Sequence, residues 1–144
     1  MDTTKTFIIA EVGSTHDGSM GNAKCAIEVA GECGADAVKF QVHLPEAETL
    51  RNAPMPSYFK GEPRFEYFER TGFSRDQWLE LKAHSEERGM TFMSSPFSSE
   101  AVDLLESIGM ENSETSVLGR QRVLYYVNRS AGKSRAYAHS GDAQ

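Results

Sequence analysis

Apolar side chains recur along this chain in two alternating patterns, short runs and helical spacings. FIIAEVG (7–13) is a short apolar run closed by Gly13 and reads as a β-strand. In the following GNAKCAIEVAGECG, Ala23, Ala26, Ile27 and Ala30 fall at i, i+3, i+4 and i+7, one face of a helix, and Gly34 supplies its stop. ADAVKFQV (35–42) reads as a second strand. FSRDQWLELKAHSEERG is helical again, with Ser74 and Gln77 in capping-box positions and Gly89 at its end. MTFMSSPF (90–97) reads as a third strand, and SSEAVDLLESIG then brings Ala101, Leu104, Leu105 and Ile108 to one helix face. Strands alternating with helices predict parallel strands joined by right-handed crossovers, an α/β sheet.

Such strands are covered on both faces and are expected to be apolar throughout. These three depart from that rule in the same way. Side chains alternate faces along a strand, so Lys39 and Gln41 share one face while Val38 and Phe40 take the other. Glu11 shares a face with Phe7 and Ile9, and Thr91, Met93 and Ser95 share one in the third strand. Each strand thus carries a polar or charged group near its C-terminal end, the edge where ligands sit in α/β barrels and open sheets. One such lysine could be a snorkelling residue, and Glu11 with Lys39 could form a purely structural ion pair. Three strands with polar groups at the same end point to a ligand site. The loop GSTHDG (13–18) adds Thr15, His16 and Asp17 at that edge. There His16 is either a ligand-contacting imidazole or a solvated residue of an Asp17-Gly18 turn.

Residues 44–73 follow the second strand, hold four of the five prolines, and include Tyr58, Phe59, Phe65, Tyr67, Phe68 and Phe73. A stretch this long at a ligand edge, too aromatic for disorder, reads as a lid or as a surface for packing against a partner subunit. At 144 residues, 39% hydrophobic and 25% charged, the chain suits one globular domain. Its net charge of −6 argues against a nucleic-acid partner. The apolar run at residues 7–10 is far too short for a signal-peptide core or a membrane span, so the chain reads as cytoplasmic. Cys25 and Cys33 show no metal-ligand spacing and read as two buried or half-buried thiols. Charge divides sharply: residues 1–110 hold 10 basic and 18 acidic side chains, whereas residues 111–144 hold 5 and 3.

FIIAEVGSTHDG, AGECGADAVKFQ and GMTFMSSPFSSEAVDLLESIGM together resemble, in order and spacing, the N-terminal part of the sialic acid synthase family, over about residues 7–110. That family includes N-acetylneuraminate, legionaminate and pseudaminate synthases and spore-coat polysaccharide relatives. The resemblance implies a TIM-type (β/α)8 barrel that condenses phosphoenolpyruvate with an N-acyl amino sugar, such as N-acetylmannosamine or its phosphate, to a nine-carbon 2-keto acid. It implies that Glu11 contacts the sugar near the reacting carbon and assists proton transfer, and that Lys39 holds phosphoenolpyruvate. Gln41 would contact the sugar and Ser95 would donate to the phosphate; His16, from its place in the loop at the same edge, is taken as a further substrate contact. A divalent metal, Mn or Mg, would polarise the aldehyde, with ligands from later strands than these. Thr15 stands where the family more often has Asn before the His.

A barrel of this type needs roughly 250 residues and eight strands, and three strands are readable here. After Met110 the resemblance stops, and residues 111–144 read as a divergent tail with one strand-like run at 123–127. The expectation is therefore a truncated barrel: an N-terminal fragment over 1–110 with an unrelated, irregular end, inactive alone and associating with itself or with a full-length homologue. Two other readings stay open. One is a Schiff-base aldolase with Lys39 as nucleophile; the other is a non-catalytic interaction fragment.

Overall fold

Three serines start the three longest helices. Ser19 accepts from the backbone N–H of Asn22 at 3.2 Å, Ser98 from that of Ala101 at 3.1 Å, and Ser74 forms the reciprocal box with Gln77 that its spacing predicts. The computed structural model describes residues 6–54 and 61–110, together with the backbone of two short strands beyond them. In chain order the elements are β1 (Ile9–Gly13), α1 (Met20–Glu32), β2 (Ala37–Val42), α2 (Pro45–Glu48), α3 (Arg64–Thr71), α4 (Arg75–Glu86), β3 (Thr91–Pro96), α5 (Ser99–Ser107), β4 (Asn112–Thr115) and β5 (Tyr125–Asn128).

The five strands form one sheet in sequential order. β1 to β4 run parallel and β5 returns antiparallel to β4. Each crossover moves the chain one strand in the same direction, as in a barrel wall; a doubly wound sheet would reverse. Val38, Phe40 and Val42 of β2 are fully buried with Phe92 of β3 against Ala23, Ile27, Trp78, Leu81, Ala101 and Leu105 of the helices. The helix-facing side of the sheet is thus the core. Among the described residues no helix is long and apolar enough to cross a membrane.

Two features differ from the sequence expectations. Residues 64–71, within the supposed lid, form α3, which buries Phe65, Phe68 and Thr71; at eight residues it is too short to carry a sustained period. Tyr58 and Phe59 lie outside the described residues. Cys25 and Cys33 are both exposed, because α1 turns Ala23, Ile27 and Ala30 inward and leaves the stripe of Cys25, Val29 and Cys33 along a groove beside β1. Beyond residue 110, Ser113 of β4 pairs with Ser94 of β3, and β5 takes in Tyr125–Val127 of the strand-like run. At the other end of the sheet Phe7, Ile8 and Ile9 are 55%, 50% and 44% exposed.

Candidate functional site

In parallel strands, residues in register point to the same face. Glu11 is in register with Lys39, Lys39 with Met93, and Gln41 with Ser95. These five side chains therefore share the face turned away from the helices, toward the C-terminal ends of the strands. The Lys39 Nζ lies 2.7 Å from Glu11 Oε2, with the lysine side chain 19% and the glutamate 46% exposed. The register of β1 slips between Glu11 and Gly13, a bulge of the kind that ends pairing and re-aims a side chain. Gly13 holds φ +56°, and a Cβ there would stand 3.5 Å from Glu11 Oε1 and 3.6 Å from Gln41 Cδ. The backbone of residue 13 thus runs between the carboxylate and the carboxamide, which flank one small space.

Gln41 is held from behind. Its Oε1 accepts from Ser14 Oγ at 3.5 Å and lies 3.4 Å from Nε2 of His43. The other ring nitrogen of His43 meets both carboxylate oxygens of Glu48, at 2.9 and 3.0 Å. The imidazole is sandwiched between Phe68, 3.8 Å away and 9° from parallel, and Phe97, 4.0 Å away and 21° from parallel. His43 and Glu48 were not singled out from sequence. The available signal was the alternation that carries Lys39 and Gln41 one step further, to His43.

His16 goes elsewhere. It is 2% exposed and stacks on Phe73 at 4.5 Å, with Phe40 and Trp78 at 6.0 and 6.4 Å. Phe40 belongs to the helix-facing side of β2, so His16 packs behind the sheet and not with Lys39 and Gln41. It lies neither in a solvated turn nor on the open face with Lys39 and Gln41. Gly18 makes the loop possible: at φ +77°, a Cβ on it would come within 2.6 Å of the backbone oxygen of Arg70, so the chain folds back flush against α3. The Gly18 N–H donates to His16 Nδ1 at 3.2 Å, which leaves the proton on Nε2.

Burial lowers the pKa of His16, and the nearby Asp17 carboxylate opposes that shift. The unfolded chain therefore takes up a proton that the folded chain resists. Stability from this group is complete above the unfolded value of about 6.5 and is lost as pH falls through the lower folded value. We expect the melting temperature of the wild type to fall between about pH 7 and pH 5, and His16→Phe to flatten part of that slope. Parallel curves for the two proteins would count against the assignment.

Comparison with known proteins decides the lineage. The profile of the NeuB family matches residues 26–114. The chain belongs to the NeuB family. It is 33% identical over 142 residues to N-acetylneuraminate-9-phosphate synthase of Homo sapiens, a match covering 96% of this chain and 39% of that protein. It is also 33% identical to the N,N'-diacetyllegionaminic acid synthase of Campylobacter jejuni subsp. jejuni, over 74% of this chain and 34% of that one. Among solved structures it resembles the N-acetylneuraminic acid synthetase of Leptospira borgpetersenii, with a TM-score of 0.60 and 27% identity over 74% of this chain and 34% of that chain. The spore coat polysaccharide biosynthesis protein spsE of Bacillus subtilis gives a TM-score of 0.56 and 30% identity, over 76% and 29%. The chain thus spans between about a third and two fifths of the curated NeuB relatives named here. Its parallel β/α units correspond to part of a NeuB-type barrel, and the family match runs four residues past 110, through β4 as far as Glu114.

Four of the five site residues suggested by sequence, Glu11, Lys39, Gln41 and Ser95, therefore lie on one face of the NeuB-type sheet, and His16 does not. Among the described residues no group of three or more His, Cys, Asp or Glu side chains could hold a metal ion. Glu11, engaged with Lys39, is the single carboxylate of the five-residue cluster, so this part of the chain does not fit the divalent metal that the resemblance implies.

Proposed function

We propose that this chain forms the phosphoenolpyruvate- and sugar-contacting rim of a synthase that joins phosphoenolpyruvate to an N-acyl amino sugar. In that reaction a carbon–carbon bond forms between the methylene carbon of phosphoenolpyruvate and the aldehyde carbon of the sugar. One water is consumed, inorganic phosphate leaves, and the product is a nine-carbon 2-keto acid. Lys39 places a fixed cation against the doubly anionic substrate, and Ser95, on the same face, adds a hydroxyl donor. Glu11, 2.7 Å from Lys39, serves as the proton-transfer group beside the aldehyde oxygen. Gln41 supplies a carboxamide to the sugar.

The observation that carries this reading is the Glu11–Lys39 pair, set on the face away from the helices with Gln41 and Ser95 in adjacent register. The same pair disfavours the aldolase reading. A Schiff-base lysine must offer a free, uncharged amine, whereas Lys39 is engaged by a carboxylate. The test is phosphate release from phosphoenolpyruvate with N-acetylmannosamine or its 6-phosphate and Mn2+ or Mg2+. It is run on this chain and on a chimaera that continues it with the remaining strands of a NeuB relative. Turnover only in the chimaera is expected. Absence from both, or borohydride trapping of a carbonyl substrate on Lys39, would defeat the proposal.

A further inference from the structure

The proposed roles leave unexplained why a histidine and a glutamate are buried just behind Gln41. Their side chains are only 8% and 4% exposed. A buried charge persists only where it is paired and hydrogen-bonded. Glu48 meets that condition through His43, with both carboxylate oxygens within 3.0 Å of Nδ1.

An ionised carboxylate only accepts, so His43 Nδ1 donates to it. On the far side of the ring, Nε2 faces the Oε1 of Gln41 at 3.4 Å, and an amide oxygen is likewise an acceptor. Phe68 and Phe97, stacked on its two faces, hold the ring in place. Ser14 Oγ donates to the same Gln41 oxygen at 3.5 Å. Ser14 Oγ and His43 Nε2 both lie at Oε1, so the carboxamide turns its oxygen toward them and its NH2 toward Gly13. The 3.7 Å between a Cβ at Gly13 and Gln41 Nε2 agrees with that orientation.

We infer that His43 and Glu48 are positioning residues. Glu48 orients His43, and His43 fixes the Gln41 carboxamide so that its NH2 is presented to a hydroxyl or carbonyl oxygen of the sugar. This rests on the proposed role of Gln41 in contacting sugar and adds two residues to it. A carboxamide on a free side chain would present either end. Locking it before the ligand arrives favours an acceptor over a donor at that point of the sugar and removes the rotamer cost of choosing.

The test uses the 144-residue chain with nitrogen-15 labelling. The His43 ring and the Gln41 side-chain amide are followed in the wild type, in His43→Phe, which keeps an aromatic ring between Phe68 and Phe97, and in Glu48→Gln, which keeps the shape of Glu48 without its charge. Expected is a Gln41 amide that moves and exchanges faster with water in both variants than in the wild type. A titration with N-acetylmannosamine should then show His43→Phe binding about tenfold more weakly, while phosphoenolpyruvate binds within about twofold of the wild type. A merely structural role would weaken both ligands together, and that result overturns the inference. So does a Gln41 amide indifferent to His43→Phe. A Gln41 amide that responds to both variants in a chain that binds no N-acetylmannosamine upholds the relay and retires the sugar reading instead.

Discussion

Trp78→Ala is expected to cost about 3–5 kcal/mol, the range for removing a large buried aromatic, a sizeable share of the stability of any domain this size. The indole is 2% exposed and sits edge-on to Phe73 at 5.0 Å and to Phe40 at 6.0 Å, with Phe92 at 6.5 Å. It is also the edge partner of His16. One residue of α4 therefore touches β2, β3 and the loop after β1, and its loss leaves a cavity that none of those backbone segments can fill alone. Urea denaturation followed by circular dichroism measures the effect. Leu79→Ala, one position along and 41% exposed, is the control and should cost under about 1 kcal/mol. Equal effects from the two substitutions would mean that the aromatic cluster is not the centre of the core.

Lys39→Met should do the opposite, leaving stability nearly intact while removing ligand binding. Its partner Glu11 is 46% exposed, so water screens the ion pair and its loss should cost less than about 1 kcal/mol. Methionine retains the length and apolar stem of lysine but lacks the charge. If Lys39 is the fixed cation for a phosphate and a carboxylate, affinity for phosphoenolpyruvate should fall about a hundredfold or more, in keeping with the loss of charge-assisted bonds. Calorimetric titration of the chimaera that continues this chain with the remaining strands of a NeuB relative reads this directly. An unchanged affinity would move the anion site away from the Glu11–Lys39 pair.

Much of this architecture was legible in the sequence because it rests on short-range rules. The period-two alternation that set Lys39 and Gln41 on one face of β2 is the alternation observed, with Val38, Phe40 and Val42 buried on the other. The Ser74–Gln77 box lies where spacing put it. What escaped depends on contacts between distant segments. The flanks of His16 are all small or turn-forming residues, so nothing local announces that Phe73, 57 positions later, will stack on it. His43 and Glu48 are five residues apart, yet their meaning comes from Phe68 and Phe97, which only the folded chain brings to the same ring. Burial of α1 was read correctly for Ala23, Ile27 and Ala30 but not for Cys25 and Cys33. A hydrophobic preference cannot say which stripe of a helix has a neighbour to cover it.

The bare margin of β1 has a consequence for handling the protein in solution. Phe7, Ile8 and Ile9 stand open at the last strand of the sheet, where a flat apolar border invites another molecule to add on. What opposes such addition is mutual repulsion between molecules of net charge −6. That repulsion has a short range, about 10 Å at 0.1 M ionic strength and about 3 Å at 1 M. Dilute, low-salt buffer near neutral pH should therefore keep molecules single, whereas concentrated salt or acidification toward the isoelectric point near 5.2 should drive them to clump along that border.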